Sequence, residues 1–167
     1  KVFDMFYHYH SNSLVFLLES RIQVVDLRSC QIANSIVYTH CDVATVHGDV
    51  LYVGHNSGEI DRFDLTNRCL TPIVLDQSSK PHKAKVTSFG FGRKFYLSSS
   101  LDGTYMVWNY EHEKTMIVTT PFPIYSISFL GPKRQILLGM ETEIMLMEPT
   151  QLFGSEIDPE IEIIDNY

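Results

Sequence analysis

Three residues of the chain carry the side chains of a serine hydrolase triad: His82, Ser98 and Asp102. In such an enzyme the imidazole takes a proton from the serine hydroxyl, and the carboxylate orients the imidazole. The reaction also needs donors that stabilise the oxyanion of the tetrahedral intermediate. No oxyanion-hole motif accompanies the three residues, so we predict that none of them is catalytic and that the chain is not an enzyme.

Two histidines, His8 and His10, alternate with tyrosines in the segment YHYH. Alternation would place both imidazoles on one face of a strand, where they could bind zinc together. No third ligand follows at the spacing of a zinc motif, and the three cysteines are scattered at Cys30, Cys41 and Cys69. The pattern therefore favours a half-exposed strand, and we predict neither a metal nor another cofactor.

Gly90 and Gly92 precede two basic residues in the segment FGFGRK, an arrangement that could contact phosphate. A phosphate loop would contain more glycines and would lead into a helix. The residues that follow, FYLSSS, have instead the composition of a strand. The segment is therefore predicted to be a turn between two strands.

The composition is that of a globular protein, since 44% of the 167 residues are hydrophobic and 20% are charged. This length is enough for one domain with its own core. The odd number of cysteines and the lack of a C-x-x-C pair argue against a disulfide framework and favour a reducing compartment. No signal peptide or membrane-length apolar run is visible, so we predict an intracellular protein, nuclear or cytoplasmic, without membrane contact.

Charge is distributed unevenly along the chain, whose formal net charge is -7. No lysine or arginine follows Arg134, whereas eight acidic residues do. An acidic segment repels the phosphate backbone of a nucleic acid. We therefore expect no direct contact between this chain and DNA or RNA.

The sequence around these side chains predicts short strands. β-Branched and aromatic residues form alternating runs that Gly, Asn, Asp, Ser or Pro interrupt about every 8 to 12 residues, which is typical of an all-β domain. Residues 151–167 differ, because acidic and apolar residues alternate there and Pro159 prevents a continuous helix. Either an acidic tail or a final strand fits that segment.

The strands recur as a unit of four in about forty residues, so the chain contains four copies of one module. In the third copy an alternating strand after an Asp-Gly turn ends in Trp108 and a polar residue. The equivalent positions of the other copies are Val25, Phe63 and Met147. We place the copies at residues 1–40, 41–81, 82–120 and 121–150.

The third copy, with the pattern S-x-x-x-D-G-T-x-x-V-W-N, resembles the WD-repeat family, whose unit ends in a Trp-Asp dipeptide. This resemblance covers about residues 1–150 and implies a β-propeller of four-stranded blades. The family usually closes its ring with about seven blades. The four copies would then belong to a larger ring, whose other blades lie in the same chain, which we favour, or in a partner.

The resemblance also implies a buried hydrogen-bond relay of His82, Ser98, Asp102 and Trp108. The aspartate would accept a proton from the imidazole, the imidazole would be linked to the serine hydroxyl, and this hydroxyl would reach the indole N–H. Each buried polar group then has a partner, which is the condition for burying it. The residues that suggest a hydrolase thus also have a structural explanation.

In propellers of this family one rim commonly holds peptides and proteins. It carries the loops that lead into the first strand of each blade and the turns that join its second and third strands. Carried over to this sequence, the rim residues are Asp42, Asn56, Lys83, Lys85, Leu101, Phe122 and Tyr125.

The resemblance implies a non-catalytic scaffold that presents these loops to other protein subunits of a multisubunit complex. Two alternatives stay open. One is a WD-repeat subunit of a ribosome-assembly or RNA-processing particle, in which a basic rim elsewhere in the ring would touch RNA. The other is an enzyme built on a propeller frame, in which polar and charged residues would converge on the central channel.

Overall fold

The structure is a computed structural model. It describes residues 1–73, 81–111, 114–130 and 135–148, with only the backbone for residues 42, 114 and 115. Within these ranges the regular elements are fifteen strands. The same ranges contain no helix with the length and hydropathy of a transmembrane span. The segment 151–167, predicted to be a tail or a final strand, lies outside the described residues.

The chain divides into two compact units, and the first of them, Lys1–Val86, contains two antiparallel sheets. The first sheet has the order β1 (Val2–His8), β2 (Ser13–Leu18), β3 (Arg21–Asp26) and β4 (Gln31–Val37). The second sheet has the order β5 (Cys41–His47), β6 (Val50–His55), β7 (Ile60–Asp64) and β8 (Thr71–Pro72). Each strand follows its neighbour in sequence, so both sheets are simple meanders.

Alternating side chains form the core of the first unit. Val15 and Leu17 in β2 are buried, whereas Phe16 between them and Leu18 after them are only partly covered. This alternation with a period of two is what a strand produces when one of its faces packs more tightly than the other. The same apolar cluster continues across both sheets and includes Ile22, Val24, Leu51, Val53 and Phe63.

The second unit, Thr87–Tyr167, repeats this arrangement. The third sheet consists of β9 (Val86–Phe91), β10 (Phe95–Ser100), β11 (Thr104–Asn109) and β12 (Lys114–Thr119). The fourth consists of β13 (Ser126–Leu130), β14 (Gln135–Gly139) and β15 (Ile144–Met147). A second apolar cluster packs these two sheets together and includes Leu97, Tyr105, Val107, Ile136 and Leu138.

The residues aligned with Trp108 occupy equivalent positions in the four sheets. Each lies near the end of the third strand and pairs with the second strand, as Leu14–Val25, Leu51–Phe63, Tyr96–Trp108 and Ile136–Met147. This equivalence confirms the prediction of an all-β fold made of repeated antiparallel sheets. Among the described residues the fourth sheet has three strands. A ring of seven blades stays a prediction.

Candidate functional site

The tryptophan end of the predicted relay is formed within the third sheet. The indole N–H of Trp108 donates a hydrogen bond to Ser98 Oγ over 2.9 Å, and both side chains are buried. The two residues lie on the adjacent strands β10 and β11, which face each other in antiparallel register. Tyr96 stacks on the indole with its centroid 5.9 Å away and an interplanar angle of 8°. The only indole of the chain is thus held by both packing and a hydrogen bond.

Asp102 organises the turn between β10 and β11. Its Oδ1 accepts hydrogen bonds from the Thr104 N–H at 2.8 Å and the Thr104 hydroxyl at 2.6 Å. Its own N–H donates to Ser100 Oγ over 3.2 Å. The next residue, Gly103, has φ +77°, a conformation that glycine adopts without steric cost. The Asp-Gly pair therefore forms the tight turn that the sequence predicts.

His82, the fourth member of the predicted relay, belongs to the first unit and lies before β9. Its ring is buried, and its backbone N–H donates to the carbonyl oxygen of Gly58 over 3.1 Å. Ser98 and Asp102 belong to the second unit. The links from His82 to these two residues therefore stay a prediction.

Three of the predicted rim residues lie close together in the second unit. The Thr120 N–H donates to the Gly103 carbonyl oxygen over 2.7 Å, and the Ile124 N–H donates to the Ser100 oxygen over 3.2 Å. These bonds fasten the loop between β12 and β13 to the turn between β10 and β11. Leu101 lies in that turn, and the attached loop exposes the predicted rim residues Phe122 and Tyr125.

The rim residues of the first unit follow the same geometry. The Asn56 N–H donates to the His40 carbonyl oxygen over 3.0 Å, which joins the β6–β7 turn to the segment leading into β5. The bond from His82 to Gly58 joins the same turn to the segment that carries the exposed Lys83. Two further predicted rim residues are Lys85, which is half-buried, and Asp42, which is the second residue of β5.

A cluster that the sequence did not reveal joins the segment after β4 to strands β6 and β7 of the second sheet. The Tyr38 hydroxyl donates to the Asp61 carboxylate and lies 2.5 Å from His55 Nε2, which is itself 3.1 Å from Asp61 Oδ2. The His55 hydrogen bond lowers the pKa of Asp61, whereas burial, followed by the bond to Asp61, raises the pKa of Tyr38. The Tyr38 ring meets Phe63 edge-on at 5.6 Å. No motif marks these residues, because the fold alone brings them together.

The structure corrects the prediction for His8 and His10. β1 ends at His8, so His10 lies in the following turn rather than on the same face of a strand. Both rings instead hydrogen-bond Asp49, which is about forty residues away in the sequence. These bonds, the one from His10 first, lower the pKa of the Asp49 carboxyl. Spacing along the chain could not have indicated this partner.

The segment with Gly90 and Gly92 forms the predicted turn. Gly90 lies within β9, and the Gly92 N–H donates to the Phe95 carbonyl oxygen over 2.9 Å at the start of β10. A strand, not a helix, follows. The geometry of a phosphate loop, in which backbone N–H groups at a helix start face the ligand, is therefore not formed here.

No protein-family model and no curated protein sequence matches the chain. A solved structure of RRP9 WD40 repeats does, with 13% identity and a TM-score of 0.70 over 87% of this chain and 50% of that one. The chain has the fold of WD-repeat propeller blades. The structure of U3-55K is also similar to the chain, with 13% identity and a TM-score of 0.66 over 87% of this chain and 51% of that one.

The WD-repeat fold also matches a designed protein. The computationally designed Ika4 protein has 13% identity and a TM-score of 0.71 over 89% of this chain and 91% of that one. The chain spans about half the length of the RRP9 and U3-55K structures. At these identities the likeness concerns the course of the backbone, and function must be argued from the sites of this chain.

Proposed function

We propose that the chain is a non-catalytic WD-repeat scaffold that binds other protein subunits through the rim. The observation that carries this proposal is the exposure of two aromatic side chains on one fastened loop. Phe122 is 52% exposed and Tyr125 is 49% exposed. Aromatic residues at the centre of an interface commonly supply most of its binding energy.

The loop that carries these aromatic residues is held by several hydrogen bonds. In addition to the backbone bonds, the Thr120 hydroxyl lies 2.9 Å from the Gly103 carbonyl oxygen and 2.8 Å from that of Phe122. A loop already ordered in the free protein loses little conformational entropy when a partner binds. These hydrogen bonds thus hold the loop so that Phe122 and Tyr125 are presented in a fixed orientation.

The environment of Ser98 supports a structural rather than a catalytic role. Its hydroxyl accepts the indole N–H of Trp108, and its relative exposure is 0%. A serine nucleophile must reach the substrate carbonyl at the start of acyl transfer. The burial of Ser98 leaves no path for such an attack in this conformation, which favours the scaffold over a hydrolase.

The partners that we propose are other protein subunits of one complex, in the nucleus or the cytoplasm. The acidic balance of the chain, with a net charge of -7, argues against direct contact with nucleic acid. Further blades, to a total of about seven, would lie in the same chain or in a partner. Binding through the rim does not depend on which of the two supplies them.

The rim proposal is tested by copurification from cells that express the full-length protein with either of two substitutions. Phe122→Ala and Tyr125→Ala should each reduce recovery of the partner subunits at least about ten-fold, the loss expected for a central aromatic anchor. The matched control is Leu130→Ala. Leu130 is 46% exposed and lies at the opposite end of β13 from Tyr125.

The same experiment separates the scaffold from its main alternative. If nuclease treatment removes the partners while the rim substitutions do not, the chain acts within an RNA-containing particle through another surface. If Leu130→Ala reduces recovery as much as the rim substitutions do, the rim is not the binding surface. Recovery that depends on Phe122 and Tyr125 and resists nuclease supports the scaffold.

A further inference from the structure

We propose that His8, His10 and Asp49 form a binding site for one divalent transition-metal ion, with zinc as the ion that fits best. The three side chains come from two neighbouring sheets of the first unit. His8 ends β1, His10 lies in the turn after it, and Asp49 lies in the turn between β5 and β6. All three ligand atoms lie within 4.8 Å of one another.

The distances are close to those that a metal ion requires. Asp49 Oδ1 lies 3.0 Å from His8 Nε2 and 2.7 Å from His10 Nδ1. Zinc binds nitrogen and oxygen at about 2.0 to 2.2 Å, which separates neighbouring tetrahedral ligands by about 3.4 Å. The side chain of His10 is 65% exposed and that of Asp49 is 39% exposed. Small rotations of these two side chains would admit the ion.

His8 has the support that a metal-binding histidine usually has. Its ring is buried, and its Nδ1 lies 2.6 Å from the Ser11 hydroxyl, which is 2.5 Å from that of Ser13. A ligating imidazole commonly donates its second N–H to such a partner, which fixes the ring orientation and the tautomer. With the proton on Nδ1 and donated to Ser11, the lone pair of Nε2 faces the position of the ion.

The backbone around the ligands is also held in place. The guanidinium Nε of Arg68 donates to the Ser11 carbonyl oxygen over 2.9 Å, which fastens the β1–β2 turn to the second sheet. On the other side, Asp49 is the second residue of a two-residue turn that begins at Gly48, whose φ is +57°. The ligands thus come from the end of β1, the β1–β2 turn and the β5–β6 turn, so a bound ion would connect the first and second sheets.

The set of donors selects the class of ion. Two imidazoles and one carboxylate suit zinc and its late transition-metal neighbours, whereas calcium and magnesium prefer oxygen ligands alone. Three protein ligands leave the fourth position of a tetrahedral zinc site to water. The exposed sides of His10 and Asp49 let solvent reach that position.

The experiment is a calorimetric titration of the full-length protein with zinc chloride. We expect one ion per chain at this site, and we expect His10→Ala and Asp49→Asn each to weaken its binding at least about ten-fold. Both substitutions are at exposed side chains, so folding should be retained. The control is His40→Asn, which removes an exposed imidazole at a residue with φ +64°, a conformation that asparagine tolerates.

The experiment needs a second titration, because the free and exposed Cys30 and Cys69 could bind zinc themselves. The titration is repeated with both replaced by serine and with cobalt as the probe, whose visible spectrum reports four-coordination without a thiolate band. Thermal unfolding is followed in parallel. A bound ion should raise the melting temperature of the unsubstituted protein and of His40→Asn, but not of His10→Ala or Asp49→Asn.

Two results would overturn the site. The first is the absence of zinc binding to the unsubstituted protein at micromolar concentrations. The second is binding in which His10→Ala and Asp49→Asn retain the affinity of His40→Asn, since the ion would then lie elsewhere. Neither result bears on the rim, so the failure of this site leaves the proposed scaffold function untouched.

Discussion

At the scale of single residues, Trp108 shows that a buried polar atom requires a hydrogen-bond partner on a neighbouring strand. The indole fills apolar space between strands, yet its N–H must find an acceptor, and Ser98 on the adjacent strand supplies one at 2.9 Å. The resemblance to the WD-repeat family implied this pair, whose two residues belong to one hairpin. The contact between Asp49 and the two histidines could not be predicted from the sequence, since it joins turns of different sheets.

Substitution of Ser98 tests the contribution of this hydrogen bond. Ser98→Ala leaves a buried indole N–H without that acceptor, which should lower the free energy of unfolding by about 1 to 3 kcal/mol. Urea unfolding followed by the fluorescence of Trp108 measures this directly. Ser128→Ala, at an exposed position in β13, should change the free energy by less than about 0.5 kcal/mol. Equal effects of the two substitutions would show that the hydrogen bond adds nothing.

The raised pKa of Tyr38 predicts a loss of stability in alkali. A tyrosine whose pKa is higher in the folded state contributes stability that is complete below its unfolded pKa of about 10 and is lost at higher pH. The free energy of unfolding should therefore fall more steeply above pH 10 in the unsubstituted protein than in Tyr38→Phe. Tyr9→Phe, at an 80% exposed position, should retain the steep fall. Equal slopes for all three proteins would contradict the buried environment of Tyr38.

At the scale of elements, the turn between β10 and β11 connects the fold to the rim. Gly103 has φ +77°, and a Cβ atom there would lie 3.0 Å from the Thr120 carbonyl oxygen and 3.2 Å from that of Phe122. The Asp-Gly pair predicted this turn from local chemistry alone. The sequence could not predict that the loop between β12 and β13 packs against it, because that contact depends on how successive sheets follow one another.

Alanine at two glycines separates backbone strain from crowding in this turn. Gly103→Ala should destabilise the protein by more than about 1 kcal/mol, because it adds a clash with the rim loop to the cost of positive φ. Gly48→Ala is the matched control, since Gly48 has φ +57° but no atom within 4 Å of the added Cβ. Chemical denaturation without metal should rank Gly103→Ala as the more destabilising. The reverse order would contradict the described packing of the rim loop.

At the scale of the whole molecule, four sheets with equivalent third strands account for the repeat in the sequence. The repeat could be predicted because each module must bury the same kind of apolar strand face. The other copies keep an apolar residue at the tryptophan position, as Phe63 and Met147 do. They do not carry the full set of relay residues found in the third copy. A pattern within one module carries no information on the number of modules, so the seven-bladed ring rests on the resemblance alone.

Site-specific photo-crosslinking can show whether the rim is the surface that binds protein partners. A photoreactive phenylalanine analogue is placed at Phe122 in the full-length protein in cells and, in a second protein, at Leu130. Mass spectrometry then identifies the polypeptides attached to each position. We expect crosslinks to a partner subunit from position 122 and none from position 130. Partner crosslinks from position 130 with none from position 122 would contradict this expectation.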